Sequence, residues 1–223
     1  VRDDGVPSEY AYEICSQSKT PVVAVLQQGE KSKNIENFQK LLSLMLENDF
    51  SRKDCVVAVG GGVVGDLAGF AAACYMRGVD FYNVPTTLLS QVDSSIGGKT
   101  AIDFCGVKNV VGAFYQPKGV IVDSDVLCTL DDRQFAAGLA EIIKMAATSD
   151  ARLFELLENS DDIKADIDEI VRRAIEIKRD VVEQDPTEKG LRKVLNFGHT
   201  VGHAIESVEN GRLLHGECVA LGM

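Results

Sequence analysis

Positive charge is scarce in this sequence. Against 23 Lys and Arg stand 34 Asp and Glu, a net charge of −11, which argues against a general affinity for nucleic acid or anionic membranes. Any anion the protein binds must therefore meet cations gathered at one place. Paired cysteine spacing is also lacking. The six cysteines (Cys15, Cys55, Cys74, Cys105, Cys128 and Cys218) form no C-x-x-C pair, so neither a disulfide framework nor a cysteine metal site is indicated. Most have apolar neighbours, as in Cys55-Val56-Val57, and they read as buried reduced thiols. No apolar run approaches the roughly 20 residues that span a bilayer, and Val1-Arg2-Asp3-Asp4 does not open a signal peptide. The expectation is a cytoplasmic protein with neither nucleic acid nor membrane as partner. There is no initial Met, and Gly222-Met223 falls inside a helical pattern. We therefore expect the greater part of a longer protein, with its N-terminal strands and its C-terminus cut short.

What is present is an ordinary globular composition, 45% hydrophobic and 26% charged, with length for one large domain or two small ones. The first half alternates strand and helix signals. Strands are expected at Pro21–Val25, Cys55–Val59, Phe81–Pro85 and Val120–Val122. Helices are expected at Asn34–Glu47, from its periodic Ile35, Phe38, Leu41, Leu42, Met45 and Leu46, and at Asp66–Met76. Strands separated by helices imply a mainly parallel sheet. Past Ser124 only helical patterns remain: 131–148, 151–157, 163–183 and 196–208. The chain reads as an α/β domain, 1–125, followed by an all-helical domain, 126–223. The gap between such domains is the natural place for a ligand.

Gly60-Gly61-Gly62-Val63-Val64-Gly65 satisfies G-x-G-x-x-G between a strand and a helix, where backbone amides can approach a pyrophosphate. A tight strand-to-helix turn would need the same glycines. The acidic residue expected some 20 positions on, at the end of the next strand, is absent, because Asp80 precedes that strand. A dinucleotide would have to be held in a nonstandard way. Between Pro85 and Pro117 lies a polar run, read as a long loop, containing Asp93-Ser94-Ser95-Ile96-Gly97-Gly98-Lys99-Thr100. It is not a P-loop, because Asp93 occupies the first glycine position. It is rich in the hydroxyls, glycines and lysines that suit oxyanion contacts, as a solvated surface loop also would be.

All three histidines, His199, His203 and His215, lie in the last 25 residues. His199 and His203 are four apart on an expected helix and share a face. With Glu141, on an earlier helix beside Lys144, two of them would form a two-histidine, one-carboxylate metal set with an open position. Spacing leaves open whether His203 or His215 joins His199. Gly198-His199-Thr200-Val201-Gly202-His203 lacks the Glu of H-E-x-x-H, which disfavours zinc-peptidase chemistry. On helix 163–183, Lys178 falls inside the stripe of Ile167, Ile170, Val171, Ala174, Ile175, Val181 and Val182. A lysine there either snorkels out or meets an anion.

Five segments in order resemble the 3-dehydroquinate synthase family of sugar phosphate cyclases, from about Gly29 to Met223. They are Gly60–Asp66, Pro85–Lys99, Gly138–Lys144, Leu195–Ala204 and Leu214–Glu217. The resemblance implies a Rossmann-like NAD domain followed by a helical metal-binding domain. It further implies a divalent metal, zinc or alternatively cobalt, on Glu141, His199 and His215. By the same resemblance NAD lies along Glu30, Lys33, Gly61, Gly62, Val63, Val64, Gly65, Asp66, Thr86, Thr87, Lys99, Lys108 and Val126, Leu127, Cys128 and Thr129. It gives Asp93, Lys144, Lys178, Glu188, Arg192, Asn196 and His203 catalytic or neighbouring roles. Asn109 and Lys99 fall to the substrate, a sugar acid phosphate. Arg77 would reach the phosphate of a partner subunit, which implies a homodimer. The implied reaction closes 3-deoxy-D-arabino-heptulosonate 7-phosphate into 3-dehydroquinate, a lyase step of the shikimate pathway. A metal-dependent polyol dehydrogenase of the glycerol dehydrogenase type, a sister cyclase and a non-catalytic fragment are the alternatives.

Overall fold

The computed structural model describes residues 1–209 and 211–223. Its chain divides into two compact units. The first comprises Val1–Thr86 and Gly98–Val122, the second Thr87–Gly97 and Asp123–Met223.

The first unit holds strands β1 (Arg2–Asp3), β2 (Val25–Leu26), β3 (Cys55–Gly60), β4 (Asp80–Pro85), β5 (Lys99–Phe104), β6 (Val107–Phe114) and β7 (Gly119–Val120), with helices α1 (Ser8–Ser16), α2 (Ile35–Glu47) and α3 (Gly62–Cys74). Five strands form a parallel sheet in the order β2-β1-β3-β4-β7. Its backbone is the long β3–β4 pair, in register from Cys55 opposite Asp80 to Gly60 opposite Pro85. The Asn34 side chain starts α2 by accepting the Asn37 amide at 2.8 Å, which satisfies one orphan donor of the first turn. The helix then buries Leu41 and Met45, one turn apart. α3 is apolar nearly all round and buries Val64, Leu67, Ala68, Phe70, Ala71 and Ala72. It can approach its neighbours because glycines face them. A Cβ on Gly65 would lie 3.2 Å from Asn83 Oδ1, and one on Gly69 2.6 Å from the Thr100 methyl.

The second unit is helical: α4 (Asp132–Ser149), α5 (Ala151–Asn159), α6 (Ile167–Gln184), α7 (His199–Glu209) and α8 (His215–Gly222), with a π-helical turn at Ser90–Ser94. Asp131 and Asp150 cap α4 and α5 by accepting first-turn amides. Gly198, at φ +78°, breaks the 3₁₀ turn Leu191–Asn196 from α7 and sets His199 as the first residue of that helix. Among the described residues no helix is long and apolar enough to cross a membrane.

The α/β class with a parallel sheet and a helical part is as expected, and several details differ. Thr87–Gly97 belongs with the helices rather than with the sheet. Leu88 and Val92 are fully buried there, and a Cβ on Gly138 of α4 would lie 2.6 Å from Leu88. The remainder of the expected polar loop is an antiparallel hairpin of β5 and β6. Thr100 and Ile102 alternate inward, and the turn uses Cys105 and Gly106 at φ +50° and +79°. The expected strand at Pro21–Val25 shrinks to Val25–Leu26, with Val23 and Val25 exposed. The buried-thiol reading holds for Cys218 alone. Among the described residues no cysteine forms a disulfide; Cys15 is half-buried and the other four are exposed. Cys55 and Cys74 lie at element ends and Cys105 in a turn, where apolar sequence neighbours do not enforce burial.

Candidate active site

α4 carries Glu141 and Lys144 one turn apart on its buried stripe. Lys144 Nζ donates to Glu141 Oε2. The other carboxylate oxygen, Oε1, is buried without a hydrogen-bond partner among the described residues, which is costly for a charged group unless a cation meets it. It faces His215 Nε2 at 3.5 Å and His199 Nε2 at 3.8 Å. Each imidazole is engaged on its far edge. His199 Nδ1 lies 3.1 Å from the Phe197 carbonyl oxygen, and His215 Nδ1 lies 3.1 Å from Glu206 Oε2. When the rings are neutral and Nδ1–H donates outward, both Nε2 lone pairs face the side of the orphaned carboxylate oxygen and are open to an ion. Two imidazole nitrogens and one carboxylate oxygen suit a divalent transition ion with an open position. The residues present therefore fit the metal.

His203 joins this cluster. The ligand atoms of the three histidines lie within 4.8 Å of one another, and its ring centroid is 5.1 Å from that of His199. The alternatives left open by spacing thus all converge, with Glu141 approached by His199 and His215. Burial disfavours a charged His215, but the nearby carboxylates of Glu141 and Glu206 outweigh it and raise its pKa to about 9. Burial and the Lys144 ammonium push His199 the other way. Burial likewise works against Glu141, but His215 and Lys144 hold its carboxyl below the usual range.

α6 buries Ile170, Val171, Ala174, Val181 and Val182 as its period requires, and Lys178 with them. Lys178 does not snorkel; its ammonium donates to Asp93 of the π-helical turn. Burial opposes the Asp93 charge, yet Lys178 and Lys144 pull its carboxyl below the ordinary range. Burial also lowers the Lys178 pKa. Past α6, Asp185 accepts the amides of Lys189, Gly190 and Arg192 at 2.9, 2.6 and 3.1 Å. That knot holds Glu188 at φ +59°, where its carboxylate accepts from Asn196 Nδ2 at 2.7 Å. Buried Arg192 donates from Nη1 to the carbonyls of Gly97 and Pro186 at 3.0 and 2.9 Å. Its Nε–Nη2 edge has no hydrogen-bond partner among the described residues. An anion with two oxygens matches that edge.

In the first unit, Gly61 precedes α3 without any side-chain cap. The opening amides of Gly62, Val63 and Val64 are those a pyrophosphate would take. Asp66 on the same helix binds buried Lys33 at 3.0 Å, and Glu30 does so at 3.2 Å. Burial disfavours the Lys33 charge, but these two acids outweigh it and raise its pKa. β4 ends in Val84–Pro85, so no acid stands at its end. Thr86, Lys99, Lys108, Asn109 and Arg77 also lie in this unit, the last two at φ +54° and +66°. Thr87 and the 3₁₀ turn holding Val126–Thr129 belong to the helical unit.

Sequence reasoning missed Glu206 and Asp185. Glu206 had a signal: it follows His199 by seven residues and so shares its helical stripe. Asp185 had none, because a carboxylate that collects amides from the four to seven residues after it follows no helical or strand period.

Profiles of two protein families match this chain, 3-dehydroquinate synthase N-terminal over residues 23–137 and 3-dehydroquinate synthase C-terminal over residues 138–223. A 3-dehydroquinate synthase from Enterococcus faecalis is 51% identical over 209 residues, 92% of this chain and 58% of the relative. The chain thus spans somewhat more than half the length of that curated relative. A solved 2-epi-5-epi-valiolone synthase from Streptomyces hygroscopicus, with NAD+ and Zn2+ bound, is 31% identical with a TM-score of 0.90, over 100% of this chain and 65% of the other. A 2-deoxy-scyllo-inosose synthase complexed with carbaglucose-6-phosphate, NAD+ and Co2+ is 30% identical with a TM-score of 0.89, over 100% of this chain and 64% of the other.

Proposed function

The chain belongs to the 3-dehydroquinate synthase family, and from that premise we propose that its protein is a 3-dehydroquinate synthase. It closes 3-deoxy-D-arabino-heptulosonate 7-phosphate into 3-dehydroquinate with loss of phosphate, in the shikimate route to aromatic amino acids. The observation that carries this reading is the orphaned Glu141 oxygen facing two imidazoles, in the unit that also holds the Lys178–Asp93 pair and Arg192. NAD and a divalent metal are the cofactors, as the NAD+ and the Zn2+ or Co2+ of the two similar cyclases support. Zinc is the first choice and cobalt the alternative.

Held by Glu141, His199 and His215, the ion would lower the pKa of a substrate hydroxyl, and NAD would accept a hydride from that carbon and give it back later in the cycle. The chain's own residues do the rest. Lys144 keeps Glu141 ionised and orients it through the bond to Oε2. His203, exposed beside the ligand imidazoles, exchanges protons with the substrate. Asp93, kept as a carboxylate by Lys178, accepts a hydrogen bond from a substrate hydroxyl, and Lys178 neutralises negative charge. The free edge of Arg192 takes the carboxylate or phosphate. Glu188 and Asn196, bonded to each other, orient hydroxyls. Asn109 and Lys99 serve the substrate, and Lys99 also serves NAD beside Glu30, Lys33, Gly61–Asp66, Thr86, Thr87, Lys108 and Val126–Thr129. Arg77 acts on a partner subunit's phosphate, in a cytoplasmic homodimer.

The test is to incubate the NAD- and zinc-loaded protein with the heptulosonate phosphate. Phosphate release without net NADH is the expected outcome. Sustained NADH with a polyol would favour the dehydrogenase reading, and turnover of another sugar phosphate a sister cyclase.

A further inference from the structure

Three consecutive residues of α8 meet three residues of α4 spaced one turn apart. Glu217 pairs with Arg133 through two bonds, Nε to Oε1 at 2.7 Å and Nη2 to Oε2 at 2.8 Å. Gly216 lies so near Ala137 that a Cβ would fall 2.0 Å from its carbonyl oxygen. His215 then faces Glu141. This seam fixes where the His215 side chain starts, but the ring can still turn about its own torsions. The turn is set at its other edge, where Glu206 Oε2 stands 3.1 Å from Nδ1. The Glu206 side chain is only 15% exposed, so water competes weakly for that bond.

We propose that Glu206 is a positioning residue of the metal centre. Its carboxylate accepts Nδ1–H of His215, which fixes the tautomer and aims Nε2 at the ion, while Arg133 and Glu217 latch the start of α8 from outside. The proposal rests on the reading that Glu141, His199 and His215 hold the metal. The two supports differ in weight. Arg133 is half-exposed, and exposed pairs contribute little and weaken with salt. A carboxylate directly on a ligand imidazole is worth roughly 10- to 100-fold in metal affinity.

Zinc affinity, measured by competition with a chelating dye, reads this without any turnover assay. Glu206→Ala is expected to weaken zinc binding roughly 10- to 100-fold and to abolish the slowly exchanging Nδ1–H proton signal of zinc-bound His215. Glu206→Gln keeps an acceptor oxygen and should restore most of both. An alanine variant that holds zinc as tightly as the parent overturns the proposal. So does a glutamine variant without recovery, which decides the matter even if the alanine variant loses stability in its zinc-free form. A greater loss from Arg133→Gln than from Glu206→Ala also overturns it. As controls, His215→Ala should lose zinc and His203→Ala should keep it. Zinc retained by His215→Ala would sink the ligand reading itself, and the proposal with it.

Discussion

Asp185 stands one position past α6, and its two oxygens gather the amides of Lys189, Gly190 and Arg192. Those bonds, that of Gly190 first and Lys189 next, hold its carboxyl below the usual range. A folded-state pKa below the unfolded value of roughly 3.9 gives stability that is complete above that pH. It is lost as the pH falls through the lower folded value. In Asp185→Asn an NH₂ group would face amides that also donate, so the Glu188–Arg192 turn should loosen. We expect a Tm several degrees lower at pH 7, a reduced kcat/KM, and a Tm gap that narrows below about pH 4 as the parent's own carboxylate protonates. Melting curves recorded from pH 7 to pH 2 test this. A gap that stays constant into acid would show that the carboxylate charge is not responsible.

Among the elements, α8 has the least room to adjust. Gly216→Ala would push a methyl carbon to 2.0 Å from the Ala137 carbonyl oxygen, and backbone cannot rotate aside as a side chain can. Overpacking of this kind costs about 1–3 kcal/mol. The denaturant midpoint should fall, and zinc affinity with it, because His215 opens the displaced helix. An unchanged midpoint would mean that α8 shifts freely. Elements with a long period were legible in the sequence. α2, α4 and α6 carry repeating apolar stripes, and the stripe of α6 correctly placed Lys178 inside. The β5–β6 hairpin was not legible. Only one face of β5 is buried, through Thr100 and Ile102, every residue of β6 is at least partly exposed, and the Cys105–Gly106 turn carries no Asn-Gly or Asp-Gly signal. Of the site, spacing offered a set of possible ligand types and left His203 and His215 both open, because a helical period says nothing of the distances between side chains on separate helices. Asp93 could not be matched to Lys178 either, because the two lie 85 positions apart.

Over the whole molecule, the net charge of −11 coexists with buried cations at Lys33, Lys144, Lys178 and Arg192. Three of them, Lys144, Lys178 and Arg192, share the helical unit, and an acidic protein needs positive groups of this kind if it is to hold a phosphate. The thiols report on both units. In native conditions a thiol reagent should label Cys105 and Cys128 first. Cys55 and Cys74, though exposed, should follow more slowly, because partial desolvation of their thiols, joined at Cys55 by Asp54 and Asp80, raises their pKa. Cys15 is half-buried, and Cys218 should react only on unfolding. A colorimetric time course distinguishes these classes, and rapid labelling of Cys218 would mean that α8 opens readily. The passage of Thr87–Gly97 out of the first unit and back bears on how the chain can be built. A nascent polypeptide that has reached Val122 contains every part of the sheet unit, yet it also carries Leu88 and Val92 with nothing to cover them. Their shelter against α4 and α6 has not been synthesised. Until that downstream sequence is made, the two greasy side chains stay in water, and a cut after residue 122 would leave them there.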